Sequence, residues 1–414
     1  MCSKAIDTNY IDIDDLKERK LINKILPYKE KNPNKINYKS VSFYKNLIFR
    51  KAYETYIKTN SKQLENYIEE NLWVKEYAVF MYLYKKNEEK SWNEWSIQDI
   101  NIDLSKGFPL GGEDECRFTC FLQYIAYEQW NKLFSYLKSL NIKVIADCPF
   151  YVGKDSTECF FNKKFFLLRK DFELEKTGGF PPDAFSDVGQ VWNTAMFNFK
   201  TLKRKKYSLI VDRIGFLSQN CDYLRLDHFR GFVSYYVIPY GDLNAKRGKW
   251  RKGPAYKLFK KLYEKYPNAK LIAEDLGGEE VKGVGILKKQ IKAPGMYVVQ
   301  FNLFNPNSKS TKDQIVYPGT HDNSPLKGWL KSLDEKDIKK LQKKFHNPKD
   351  LYGALFKYIS EQESYLTIFQ FQDLYAFDDS TRINVPGTLD DKNWSWKIAD
   401  PSIFKKPKYL PKVK

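Results

Sequence analysis

Six short apolar runs, each closing on polar or charged residues, recur after residue 141 and constrain the fold more than any other feature of the sequence. They are Ile142-Lys-Val-Ile-Ala-Asp147, Tyr223-Leu-Arg-Leu-Asp227, Lys270-Leu-Ile-Ala-Glu274-Asp275, Met296-Tyr-Val-Val-Gln300, Ile315-Val-Tyr317 running into Thr320-His321-Asp322, and Leu366-Thr-Ile-Phe-Gln-Phe-Gln-Asp373. Runs this short and apolar read as strands buried on both faces. Helical stretches such as Tyr256 to Tyr266 lie between them. Strands that alternate with helices imply a parallel sheet, and acids at the C-terminal ends of several strands are what the active face of an α/β barrel presents. An open doubly wound sheet gives the same alternation but seldom places acids at four strand ends. The expected fold class is therefore α/β, of the (β/α)8 TIM-barrel type. A closed barrel of this class needs eight strands, so the six found here describe an incomplete one with inserted helical and loop subdomains.

The rest of the chain is organised around these runs. Residues 47 to 85 carry apolar positions at helical spacing, and Tyr127, Trp130, Leu133, Phe134, Leu137 and Leu140 fall on one helix face. Residues 1–140 are thus expected to be a mostly helical region, 141–400 the catalytic strands, and 401–414 a basic tail. The 80 residues between Asp147 and Asp227 exceed what one strand–helix unit needs and must hold an insertion. Within it, residues 178–192 contain three Gly, two adjacent Pro and a terminal Trp192, the composition of an ordered surface loop that caps a cleft. An aromatic presented there either stacks on a sugar ring or packs against the scaffold.

Composition excludes several classes of function. The chain has 70 Lys+Arg against 51 Asp+Glu, a formal charge of +19, yet only 11 of the 70 cations are Arg, the side chain that bidentate phosphate and base recognition favours. Lysine is spread along the chain beside abundant Asn, Ile, Tyr and Phe, so nucleic-acid binding is not expected. The six cysteines include no pair of pairs and no nearby His to complete a metal site, and they read as reduced thiols. Neither a run of 18 apolar residues nor an apolar leader occurs, so no membrane association and a cytoplasmic location are expected.

Three acids stand in distinctive contexts: Asp227 in Arg225-Leu-Asp-His228-Phe-Arg230-Gly, Glu274 in Ala273-Glu-Asp-Leu-Gly277, and Asp322 in Gly319-Thr-His321-Asp-Asn323. Two of the three histidines and two of the eleven arginines fall inside these motifs, too concentrated for surface decoration in a chain so poor in both. Two carboxyls about 5 Å apart are the machinery of retaining glycoside chemistry. Arg225, two residues before Asp227 on a strand, shares its face and keeps it ionised by charge pairing, while Glu274 needs a raised pKa to arrive protonated.

These stretches resemble the 4-alpha-glucanotransferases of bacteria and plants, called amylomaltase or disproportionating enzyme. The resemblance also rests on residues 147–156 and 180–192, on Arg382-Ile-Asn-Val-Pro-Gly-Thr388 and on Asn393-Trp-Ser-Trp396, all in the family's order from near Asn9 to Trp396. It departs from the pattern at Ser324-Pro-Leu-Lys327, and the family's first two barrel strands precede the stretch that Asn9 to Leu16 resembles. The six strands are then expected to be the third to eighth. The resemblance implies transfer of alpha-1,4-glucan segments between maltodextrins by double displacement, with Asp227 as nucleophile, Glu274 as acid/base and Asp322 as stabiliser of the transition state. It places Asp147, Tyr151, Asp183, Phe185, Trp192, Arg225, His228, His321 and Asn323 among the substrate-binding residues, and implies no cofactor or metal. An alpha-glucan hydrolase and a non-catalytic glucan-binding chain are the alternatives. Product lengths from maltotriose separate transfer from hydrolysis, and binding without turnover marks the third.

Overall fold

Apolar runs this short do not sustain helices, and in the computed structural model, which describes residues 2–182, 186–277, 281–388 and 390–411, each of the six contributes a strand over part of its length. In chain order the strands are β1 (Ile145–Cys148), β2 (Val152–Gly153), β3 (Lys176–Phe180), β4 (Gln190–Val191), β5 (Thr194–Ala195), β6 (Tyr223–Leu226), β7 (Ser234–Pro239), β8 (Lys249–Lys252), β9 (Leu271–Ala273), β10 (Gly295–Val298), β11 (Gln314–Tyr317) and β12 (Leu366–Thr367). The fold is α/β. The chain divides into two units, Met1–Tyr28 with Ser40–Lys292, and Lys29–Lys39 with Ala293–Lys414.

In the first unit β1, β6 and β9 form a parallel sheet in that order. Asp147 pairs with Arg225, and Leu226 with Ala273. Parallel neighbours need a crossover, and helices Ser208–Gln219 and Tyr256–Lys265 supply it before β6 and β9. Leu224 and Leu226 are buried, which turns Arg225, and Asp227 one step beyond the strand, to the opposite face. The long helix Glu113–Ser139 buries Cys116, Cys120, Phe121 and Ile125 and opens with three acids in its first turn, where they suit the helix dipole. The expected helix 47–85 is two: Tyr38–Glu70, interrupted by non-helical Asn60, and Leu72–Lys86. Among the described residues no strand precedes Ile145, and no helix is long and apolar enough to cross a membrane.

The insertion folds more regularly than its composition suggests. Segment 178–192 is not loop throughout, because β3 and β4 at its two ends pair antiparallel within a sheet ordered β4-β3-β7-β8. Gly179 permits this closeness: a Cβ there would lie 2.1 Å from the Gln190 carbonyl oxygen.

In the second unit β10, β11 and β12 form another parallel sheet. Its core joins Val316 to Leu326, Leu341, Leu355, Phe356 and Ile359 of the following helices. The run Leu366–Asp373 is strand only over its first two residues. Its partner β11 ends at Tyr317, followed by Pro318, which has no N–H to extend the ladder, and Asp373 falls instead in the helical turn Phe371–Leu374.

Candidate active site

The face of the first sheet opposite Leu224 and Leu226 carries a row of charges. Arg225 donates to both carboxylate oxygens of Asp147, from Nε at 3.1 Å and from Nη2 at 2.6 Å, and the same Nη2 lies 3.6 Å from Asp227 Oδ1. The guanidinium is largely buried while both carboxylates remain about half exposed. Its proton is held above the ordinary arginine range by its bonds and charge pairing with Asp147 and then Asp227, which overcome the cost of burial. A cation fixed by one acid keeps the other ionised, the state a nucleophile needs.

Glu274 follows β9, the neighbour of β6, and extending the register by one residue sets it beside Asp227. Adjacent strands lie about 4.8 Å apart, in keeping with the roughly 5–5.5 Å between the carboxyls of a retaining pair. Two backbone N–H groups fix the Glu274 side chain: His228 donates to Oε2 at 2.8 Å and Leu276 to Oε1 at 3.2 Å. Burial, then the charge of Asp227, push its pKa up to about 8, against the opposing pull of Arg225 and of the His228 N–H. Glu274 thus holds its proton at neutral pH beside the charge of Asp227, the division of work that a general acid and its partner carboxylate require.

Beside this pair stands an aromatic group. His228 has a left-handed backbone (φ 47°), and burial pulls its pKa down to about 4, so the ring is neutral. Its Nε2 is buried without a hydrogen-bond partner, as is the hydroxyl of Tyr151. Trp192 meets the His228 ring edge-on at 4.9 Å and Tyr151 at 6.1 Å, while its Nε1 donates to Gln190 Oε1. Both readings of Trp192 keep their basis, since the indole packs on the scaffold next to two polar atoms that lack partners. Asp183 and Phe185 lie outside the described residues.

The second unit carries the other expected residues. Asp322 Oδ1 accepts from Asn384 Nδ2 at 2.7 Å, and its Oδ2 is 3.5 Å from His321 Nε2. Arg382 donates to the Asp322 carbonyl at 2.6 Å. Asn323 shapes the turn rather than projecting freely, its Oδ1 accepting from the N–H and the hydroxyl of Thr320. Gln300 and Gln370, from two of the six runs, donate to the carbonyls of Ser324 and Thr320 and so pin the loop that bears His321 and Asp322.

The sequence profile of the 4-alpha-glucanotransferases matches residues 1–402. The chain belongs to that family. The 4-alpha-glucanotransferase of Clostridium butyricum is 34% identical over 410 residues, spanning 94% of this chain and 83% of the relative. The chloroplastic/amyloplastic 4-alpha-glucanotransferase of Solanum tuberosum is 31% identical over 388 residues, 90% of this chain and 67% of its own. Among solved structures, the amylomaltase from Streptococcus agalactiae in complex with acarbose aligns with a TM-score of 0.90 at 26% identity, covering 97% of this chain and 84% of that one. The amylomaltase from Corynebacterium glutamicum, 16% identical, shares the fold with a TM-score of 0.71 over 95% of this chain and 62% of its own.

Within this glucanotransferase the first unit brings together Asp147, Tyr151, Trp192, Arg225, Asp227, His228 and Glu274, and the second brings together His321, Asp322 and Asn323. Arg382 and Asn384 were not singled out from the sequence as site residues. The signal for them was present in Arg382-Ile-Asn384, since arginine is scarce in this chain, but that motif has no strand pattern to say where it folds back.

Proposed function

We propose that this 4-alpha-glucanotransferase transfers alpha-1,4-glucan segments between maltodextrins by a retaining double displacement. Asp227 attacks the anomeric carbon while Glu274 gives its proton to the departing glycosidic oxygen, leaving a covalent glycosyl ester and an ionised Glu274. An acceptor hydroxyl then gives its proton to Glu274 as its oxygen displaces Asp227, so the configuration inverted in the first step is restored in the second. Asp322 holds the donor sugar and stabilises positive charge at the reacting carbon. The observation that carries this reading is the raised proton affinity of Glu274 beside an ionised, Arg225-paired Asp227 on the neighbouring strand. The proposal includes assignment of the six parallel strands to an incomplete (β/α)8 barrel, segment 178–192 as a cover over the cleft, and a cytoplasmic location. A hydrolase is not favoured by the family, and a chain that only binds glucan would not need the two carboxyls tuned apart. Glu274→Gln tests the reading: transfer from maltotriose should be lost, while a donor with a good leaving group should still form the ester, since its departure needs little acid help. Equal loss with both donors would remove Glu274 from the acid role.

A further inference from the structure

Trp394 is more exposed than Trp250, with 52% of its surface accessible against 38%, yet its position is tightly specified. Its N–H donates to the Ile383 carbonyl at 2.7 Å, and its own carbonyl accepts from the Tyr38 hydroxyl at 2.6 Å. On either side, Asn393 is tied to Thr388 and Val385, and the buried Ser395 accepts at its carbonyl from the Ile36 N–H. The backbone of Trp394 is left-handed (φ 58°), a conformation that bulky side chains rarely take. Burial alone gives little reason to place an indole this way, because about half of the residue's surface stays in water. What the placement does achieve is proximity to His321, whose ring centroid is 5.1 Å away at an interplanar angle of 43°. Ile383, which receives the Trp394 N–H, sits between Arg382 and Asn384, the two residues that hold Asp322.

We infer that Trp394 is a specificity-determining residue that stacks on the apolar face of a glucosyl ring whose hydroxyls are taken by His321 and Asp322. The inference rests on the reading of Asp322 as a sugar-binding acid. The hydrogen-bonding groups beside the ring supply orientation, and the exposed indole supplies a flat apolar face whose desolvation is completed only by the ligand. The clamps on both sides of the residue hold that face in place before the sugar arrives, so little freedom is lost on binding.

The test uses the full chain carrying Glu274→Gln, titrated with maltotriose by calorimetry. Trp394→Phe in that background should keep the dissociation constant within about threefold, whereas Trp394→Leu should weaken it roughly tenfold, the difference made by an aromatic face. Leucine binding as tightly as tryptophan, or phenylalanine failing to restore binding, would overturn the inference. Absence of maltotriose binding by the chain with Trp394 intact would instead remove the functional reading beneath it. A measurement that needs no change at position 394 guards against misfolding: maltotriose should shield Trp394 from oxidation by N-bromosuccinimide, read peptide by peptide in a mass spectrometer. Unchanged oxidation in a chain that binds the sugar also counts against the stacking role.

Discussion

Glu274 and Asp373 both close apolar runs of the same grammar, and both carboxyls hold their proton near neutral pH, yet their surroundings differ in kind. Burial pushes Asp373 up to about 7 with no charged partner. The side chain is fully buried, one oxygen accepts from the Leu326 N–H, and the other has no hydrogen-bond partner. Glu274 reaches about 8 through burial and the adjacent charge of Asp227, on a face where Asp227 and Asp147 remain about half open to solvent. Asp373 caps the start of helix Leu326–Ser332 and is a structural acid. A raised pKa therefore marks desolvation, and only its coupling to a second, accessible charge marks a place where a proton can be used.

Substitutions can sharpen or break this contrast. The largest effect is expected from Glu274→Gln, which should lower transfer from maltotriose by about 10²–10⁴, the usual worth of a positioned acid, whereas Asp373→Asn should change it less than twofold. Comparable losses would erase the distinction. Next comes pH dependence. The acid must be protonated, so turnover of maltotriose should fall by roughly tenfold per pH unit above about pH 8, and Asp373→Asn should leave that limb unmoved. Trp192→Ala is expected to raise the ratio of free glucose to longer maltodextrins several-fold with little change in melting temperature; a purely anchoring indole predicts a lower melting temperature and an unchanged ratio. The smallest change concerns stability. Asp373 binds its proton more tightly folded than unfolded, so its ionisation costs stability progressively from about pH 4 to about pH 7 and no further above that. In Asp373→Asn this decline should be shallower over that window, seen as a flatter plot of melting temperature against pH.

The same contrast shows what a sequence can and cannot reveal. Strand β9 is legible because burial of all three residues leaves an unbroken apolar run, and β1 and β6 because their short apolar runs lead straight into Asp147 and Asp227. β12 is shorter than its pattern suggests because Leu366-Thr-Ile-Phe369 is β-prone throughout, while the limit on its length lies in Pro318 after its partner, a residue 48 positions earlier in the chain. β8, Lys249-Trp-Arg-Lys252, has no buried residue and hence no hydrophobic signature; only its pairing with β7 makes it a strand. β7 carries an apolar signal in Tyr235-Tyr-Val-Ile238, but it lies outside the strand–helix alternation that marks the parallel strands. Asn384 and Trp394 depend on folded-back contacts, and no local pattern encodes those.

The left-handed backbone at His228 has a kinetic consequence. That torsion turns the N–H of the residue after Asp227 toward Glu274 Oε2, a bond that favours the ionised carboxylate and so works against burial. Under the proposed mechanism Glu274 must part with its proton in the first half-reaction and regain one in the second, and whatever eases one half impedes the other. Glycine or asparagine at 228 can adopt the same torsion, whereas a β-branched residue resists it at about 1–2 kcal/mol and would release the N–H. Under that mechanism the backbone angle of the residue after Asp227 sets how long the sugar stays attached between donor and acceptor.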